Sequence, residues 1–174
     1  MTRGFLGLGA MLALSACQTP LNQIPLTGAY DPGNPFAKMI RGELHPVKVY
    51  ETDHVLAFMD HAPAAPGHIL VISKVSHART LLEMNAHDYD EVMAVVRKVA
   101  LAEVKALDLK GFTIIENNGL GQSVPHVHVH IIPRYGRIRL REVSTPIVPD
   151  GQLEAVAVKV RAALAEMDAH PEAQ

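Results

Sequence analysis

The stretch HVHVH at 126–130 alternates imidazole and valine at every position. On an extended strand successive side chains point to opposite faces. His126, His128 and His130 therefore share one face, and Val127, Val129 and Ile131 share the other. A helix cannot use this pattern, because its neighbours on one face stand three and four residues apart. The chain must build a sheet with one apolar side against a helix and three imidazoles on the other. A lone histidine is ordinarily a satisfied core or surface residue, and His45, His54, His77, His87 and His170 are read that way. Three aligned on one strand face have no such ordinary use.

Metal binding is one use. Same-face residues on a strand lie about 6.6 Å apart, so the outer two of three stand about 13 Å apart. Zinc–nitrogen bonds are only about 2.0 Å long, so a straight strand cannot easily aim all three at one ion. No Asp or Glu interrupts the motif, and Cys17 is the only cysteine. That excludes paired-cysteine zinc sites and any intramolecular disulfide. Metal binding stands second, and no metal or cofactor is required.

Nucleophilic catalysis on phosphorus stands first. Imidazole is neutral and nucleophilic near pH 7. Attack on a phosphoryl group needs an anion cradle beside the nucleophile, and NNGLGQS at 117–123 precedes the motif directly. Gly119 and Gly121 permit turns that point backbone N–H groups at an anion. Asn117, Gln122 and Ser123 can add side-chain donors. Alone, such a stretch is a plain hairpin turn; joined to three aligned histidines it suits a phosphate.

The 174 residues suffice for one domain with a real core. Net charge is −2, so no basic field draws the chain to nucleic acid. Asn34, Pro35 and Gly42 bracket a short helix. Residues 47–51 and 54–60 predict a hairpin, and 68–74 a third strand. Asn85 caps a long helix in which Tyr89, Val92, Val96 and Val99 keep helical spacing. Residues 112–117 and 125–133 are two more strands, and 151–167, capped by Asp150, is a C-terminal helix. The order predicts an α+β fold: a mainly antiparallel sheet of five strands, one long helix and a C-terminal helix. In RYGRIRLR at 134–141, Arg137, Arg139 and Arg141 suit a solvated strand edge.

The N-terminus differs in kind. Arg3, the apolar run 5–14 and the small residues after it have the shape of a signal peptide. LSAC at 14–17 resembles the bacterial lipobox, which implies cleavage before a lipidated Cys17. Residues 1–17 are thus expected to be a signal, 18–35 a proline-rich tether, and 36–174 the domain. The expected destination is the cell envelope, by lipid anchor, on the periplasmic side of the outer membrane.

The sequence GQSVPHVHVHIIPR resembles the histidine-triad (HIT) signature, and 34–74 resembles the N-terminal half of that family. The likeness runs over about 34–135, and its IIPR ending is closer to the Fhit and general bacterial branches than to the Hint branch. It implies a HIT-like fold and attack on the α-phosphorus of a nucleotide conjugate. It implies His128 as the nucleophile that forms a nucleotidyl-histidine, with His126 orienting it through the backbone carbonyl. It implies phosphate contacts from His130 and His68. It further implies that Asn117, Gln122 and Ser123 line the phosphate site, with Ser123 assisting the leaving group. Asp60 would bind the ribose, and Phe36, Met39 and Leu44 the base. Homodimers are usual in the family. Two features depart from it: a shortened loop between Asn117 and Gln122, and the lipobox. A non-catalytic nucleotide-binding module is the alternative that the short loop favours, and a periplasmic metal-binding protein using His126, His128 and His130 is the other.

Overall fold

A computed structural model of the chain describes residues 24–136 and 147–170. Cys17, the signal segment, the first part of the tether and the arginines 137, 139 and 141 lie outside the described residues.

Helix α1 (Pro35–Ile40) begins where Asn34 accepts from the Ala37 amide at 2.9 Å, with Pro35 in its first turn. The missing proline N–H costs nothing there, since the first amides of a helix have no internal partner. Strands β1 (Lys48–Glu51), β2 (Val55–Met59) and β3 (Ile69–Ser73) follow. Helix α2 (Ala86–Leu107) is capped by Asn85, whose side chain accepts from the Asp88 amide. Strands β4 (Gly111–Glu116) and β5 (His128–Arg134) and helix α3 (Asp150–Ala169) complete the order. Asp150 is the first residue of α3 rather than its cap; Pro149 holds the cap position. The Asp150 carboxylate instead meets His61 Nε2 at 3.1 Å. Strand β5 starts at His128, so His126 and Val127 belong to the preceding loop.

The sheet is antiparallel throughout, in the order β1-β2-β3-β5-β4. Its alternation sorts two apolar clusters. Val55, Ala57, Met59, Ile69, Val71, Val129 and Ile131 pack with residues of α2 and α3. Leu56, Phe58, Leu70 and Ile72 pack with Phe36 of α1 on the other face. Register then decides where the histidines go. Leu70 lies opposite His130 and Ile72 opposite His128, and directly opposed residues share a face. The histidines therefore emerge on the α1 side, while Val129 and Ile131 are buried beneath α2, as the alternation predicts.

The part of the expected tether that is described does not hang free. The Arg79 guanidinium donates to Pro25 O at 3.0 Å, Thr80 Oγ1 to Leu26 O at 2.6 Å, and the Gly28 amide to Glu83 at 2.7 Å. Arg79 and Thr80 are buried under this strap. Residues 24–34 are thereby laid against the domain.

Candidate active site

The site lies where β5, the β2–β3 loop and the N-terminal strap meet on the α1 face. Carbonyl oxygens only accept hydrogen bonds, so backbone partners fix the proton position on each ring. His128 Nδ1 stands 2.7 Å from His126 O and must donate to it. A neutral His128 then carries its lone pair on Nε2. His126 Nε2 donates to Ser73 O at 2.9 Å, which leaves Nδ1 to accept from the Tyr30 hydroxyl at 2.7 Å. His68 Nδ1 accepts from the Ala64 amide at 3.1 Å, so its Nε2 bears the proton and donates to His130 Nδ1 at 2.9 Å. That relay puts the remaining proton on His130 Nε2, a buried atom without a partner among the described residues. A buried N–H without an acceptor costs about 1–3 kcal/mol, and an anion placed there recovers it.

Burial keeps these rings neutral, because a charged imidazole is poorly solvated in the interior. Desolvation lowers His126 and His68 to about 4 and His130 to about 3, and it lowers His128 as well. His128 is 2% exposed and lies at the bottom of the site. The Phe36 ring meets it edge-on at 5.2 Å and meets His126 at 6.0 Å. An unprotonated imidazole against an apolar wall remains nucleophilic at pH values where a solvated histidine would be charged.

Asp60 is partly exposed at the end of β2. Its Oδ1 accepts from the Ala62 amide at 2.9 Å, and its Oδ2 lies 3.2 Å from His68 Nδ1. The amide of Ala64 has the aligned geometry at that nitrogen, so the carboxylate is a close neighbour rather than the partner. Donor atoms of Asp60, His68 and His130 all lie within 4.8 Å of one another.

The loop before β5 departs from expectation. Gly119 and Gly121 have φ of +75° and +83°, as glycines at such turns should. The Gly119 amide, however, donates to Gln122 Oε1 at 3.0 Å. Gln122 Nε2 donates to Arg79 O and Val124 O, and the side chain is buried. Gln122 thus holds the loop in shape, and neither its amide nor the Gly119 N–H faces an open site. Ser123 is exposed beside the histidines in sequence, and Asn117 is half-buried at the end of β4. The expected base-binding residues divide. Phe36 faces the histidines, whereas Met39 and Leu44 line a cavity of about 530 Å³ with His45 and with Arg161 of α3. Tyr30 was not among the residues the sequence singled out; its only signal was an aromatic inside a proline- and glycine-rich segment.

Comparisons with known proteins agree with this fold. A family model described as the HIT domain matches residues 41–137. The Bacillus subtilis protein "Protein hit" is 41% identical over 104 residues, 59% of this chain and 71% of that protein. Adenosine 5'-monophosphoramidase hnt1 of Schizosaccharomyces pombe is 37% identical over 121 residues, 66% of this chain and 86% of that protein. A crystal structure of a Hit-like protein involved in cell-cycle regulation from Bartonella henselae superposes with a TM-score of 0.73 and 44% identity. It covers 78% of this chain and 99% of its own. With His128 and His130 in the expected alternation on a five-stranded antiparallel sheet, His126 in the loop just before it, and relatives at this level of identity, the chain belongs to the HIT-domain family.

Proposed function

We propose that the protein hydrolyses or transfers nucleotidyl groups at the α-phosphate of nucleotide conjugates, through a covalent intermediate on His128. The observation that carries this is the proton arrangement of the buried rings. His128 Nδ1 is committed to His126 O, so the free lone pair sits on Nε2. The unpartnered His130 Nε2 proton is the donor a phosphoryl oxygen would meet beside it.

In this mechanism His128 Nε2 attacks phosphorus, a P–N bond forms, and the bond to the leaving group breaks. His130 donates to a non-bridging oxygen, with His68 holding its tautomer from behind. Ser123 serves the leaving group and Asp60 the ribose hydroxyls. Water then attacks the phosphorus and gives up one proton to solvent, the P–N bond breaks, His128 is released neutral with its proton still on Nδ1, and a nucleoside monophosphate departs. Splitting one displacement into two lowers each barrier. The relative named as an adenosine 5'-monophosphoramidase supports a nucleoside phosphoramidate as the first substrate to try, with dinucleoside polyphosphates beside it. Residues Asp60, His68 and His130 are close enough to trap a divalent ion, so the assay belongs in EDTA. The full chain in detergent is expected to release AMP from adenosine phosphoramidate under those conditions. Tight AMP binding with no release from any conjugate would leave a binding module instead.

We also propose that the protein acts as a homodimer at the cell envelope, anchored through Cys17. Two acyl chains contribute about 0.8 kcal/mol per buried methylene, enough for stable attachment. Labelled palmitate is expected in the wild-type protein and absent from Cys17→Ser; equal labelling of both would overturn the anchor.

A further inference from the structure

We propose that Tyr30 is a positioning residue of the triad, holding His126 in the one ring orientation from which its backbone carbonyl can orient His128. This rests on the assignment of His128 as the nucleophile.

The observations form one chain. The Tyr30 hydroxyl lies 2.7 Å from His126 Nδ1, across 96 residues of sequence. The opposite ring nitrogen of His126 donates to Ser73 O at 2.9 Å. His126 is thus gripped at both nitrogens, and the peptide it belongs to offers its carbonyl to His128 Nδ1 at 2.7 Å. Tyr30 is itself fixed. Its ring stacks on His77 at 4.8 Å with a 22° tilt, and it sits edge-on to His126 at 5.7 Å. The strap that carries it is pinned at Pro25, Leu26 and Gly28. The strap also packs on the loop before β5. A Cβ on Gly119 would come within 3.0 Å of Leu26 Cδ2 and 3.1 Å of Ile24 O.

A residue that only filled space here would not need to place a hydroxyl on a buried imidazole nitrogen. Without it, His126 Nδ1 is a buried acceptor with no donor, and such a group costs free energy until something moves. Ser73 O still keeps the proton on Nε2, but a ring held at one nitrogen only is free to turn about that bond to bring Nδ1 to another donor, and the peptide behind it shifts with it. His128 loses its aligned acceptor, and its proton spends more time on Nε2, where the ring cannot attack. A small displacement of a reacting group is enough for a large loss of rate.

The test uses full-length protein in detergent and Tyr30→Phe, which keeps the ring and removes only the hydroxyl. The kcat for AMP release is expected to fall roughly tenfold to a hundredfold, with KM changed less than about twofold. With ¹⁵N-histidine labelling, the His126 Nδ1 resonance should move toward that of an acceptor without a donor. The His128 Nδ1–H signal should shift and broaden. Wild-type kcat, or unchanged resonances for both rings, would overturn the proposal. Should Tyr30→Phe fail to fold, His77→Ala removes the exposed stacking partner and leaves the hydroxyl. It should move both resonances in the same direction by a smaller amount, with a smaller loss of kcat, and unchanged shifts would again overturn it. If the wild-type protein releases no AMP, the nucleophile assignment fails by itself, and the imidazole resonances alone decide whether Tyr30 controls the two rings.

Discussion

His128→Ala is expected to lower AMP release to background, a loss of at least roughly 10³-fold in kcat. The size follows from the arrangement of protons in the site. Among the four site rings, His126 and His68 have both nitrogens engaged, and His130 presents an N–H. His128 alone combines a committed Nδ1 with an open lone pair. No neighbouring imidazole can take over without reversing its own hydrogen bonds. His130→Ala should cost less, about 10²–10³-fold, because it removes a donor to the developing charge and leaves the covalent step in place. The pH profile gives an independent reading. Burial lowers His128 from 6.5, so the nucleophile stays unprotonated as pH falls through 6.5, and the acid limb of kcat/KM lies at lower pH than for a solvated histidine. Substrate cleavage by His128→Ala at the wild-type rate would remove His128 from the chemistry.

Much of this site was legible because strand periodicity constrains so strongly. Alternation alone placed His128 and His130 on one face with Val129 and Ile131 on the other. The cap residues Asn34 and Asn85 were equally legible, since each has an amide to satisfy in the first turn of its own helix. What sequence could not supply were contacts between distant segments. Nothing in GAYDPGNP announces that Tyr30 reaches His126, because the strap has no period and its partners are Arg79, Thr80 and Glu83. Gln122 was expected to face the phosphate on the strength of its position. Its amide turned inward because a tight glycine turn leaves backbone groups that need partners, and Gln122 supplies them.

One signal of that second kind was present in the sequence. Val92, Val96 and Val99 trace the apolar stripe of α2, and the next position on it is Glu103. The structure buries Glu103 completely, and neither carboxylate oxygen has a partner among the described residues. Its Oε1 would stand 3.0 Å from a Cβ on Gly67, with Leu107 and Pro133 at the same point. Tyr135, whose pKa is raised by burial and by this carboxylate, is the titratable neighbour.

Burial raises Glu103 from 4.5 to about 8. Its folded form therefore holds a proton that the unfolded chain releases, and stability falls as pH rises from about 4.5 to about 8. The site histidines act with the opposite sign. Their folded values lie below 6.5, so stability is lost as pH falls from 6.5 toward about 4. Several histidines outweigh the glutamate below 6.5, and above it the glutamate acts with exposed His54, which its hydrogen bond to Glu91 raises. Urea unfolding should accordingly show a stability maximum slightly below neutrality. Glu103→Met keeps the side-chain volume and removes the carboxylate. At about 1.4 kcal/mol per pKa unit, the difference between 4.5 and about 8 sets an upper bound of roughly 5 kcal/mol on the gain near pH 8. The decline above pH 6.5 should shrink to the part that exposed His54 contributes, while the acid limb, which belongs to the site histidines, stays. A variant whose stability still falls between pH 7 and 8 as steeply as the wild type would show that Glu103 does not titrate in the fold.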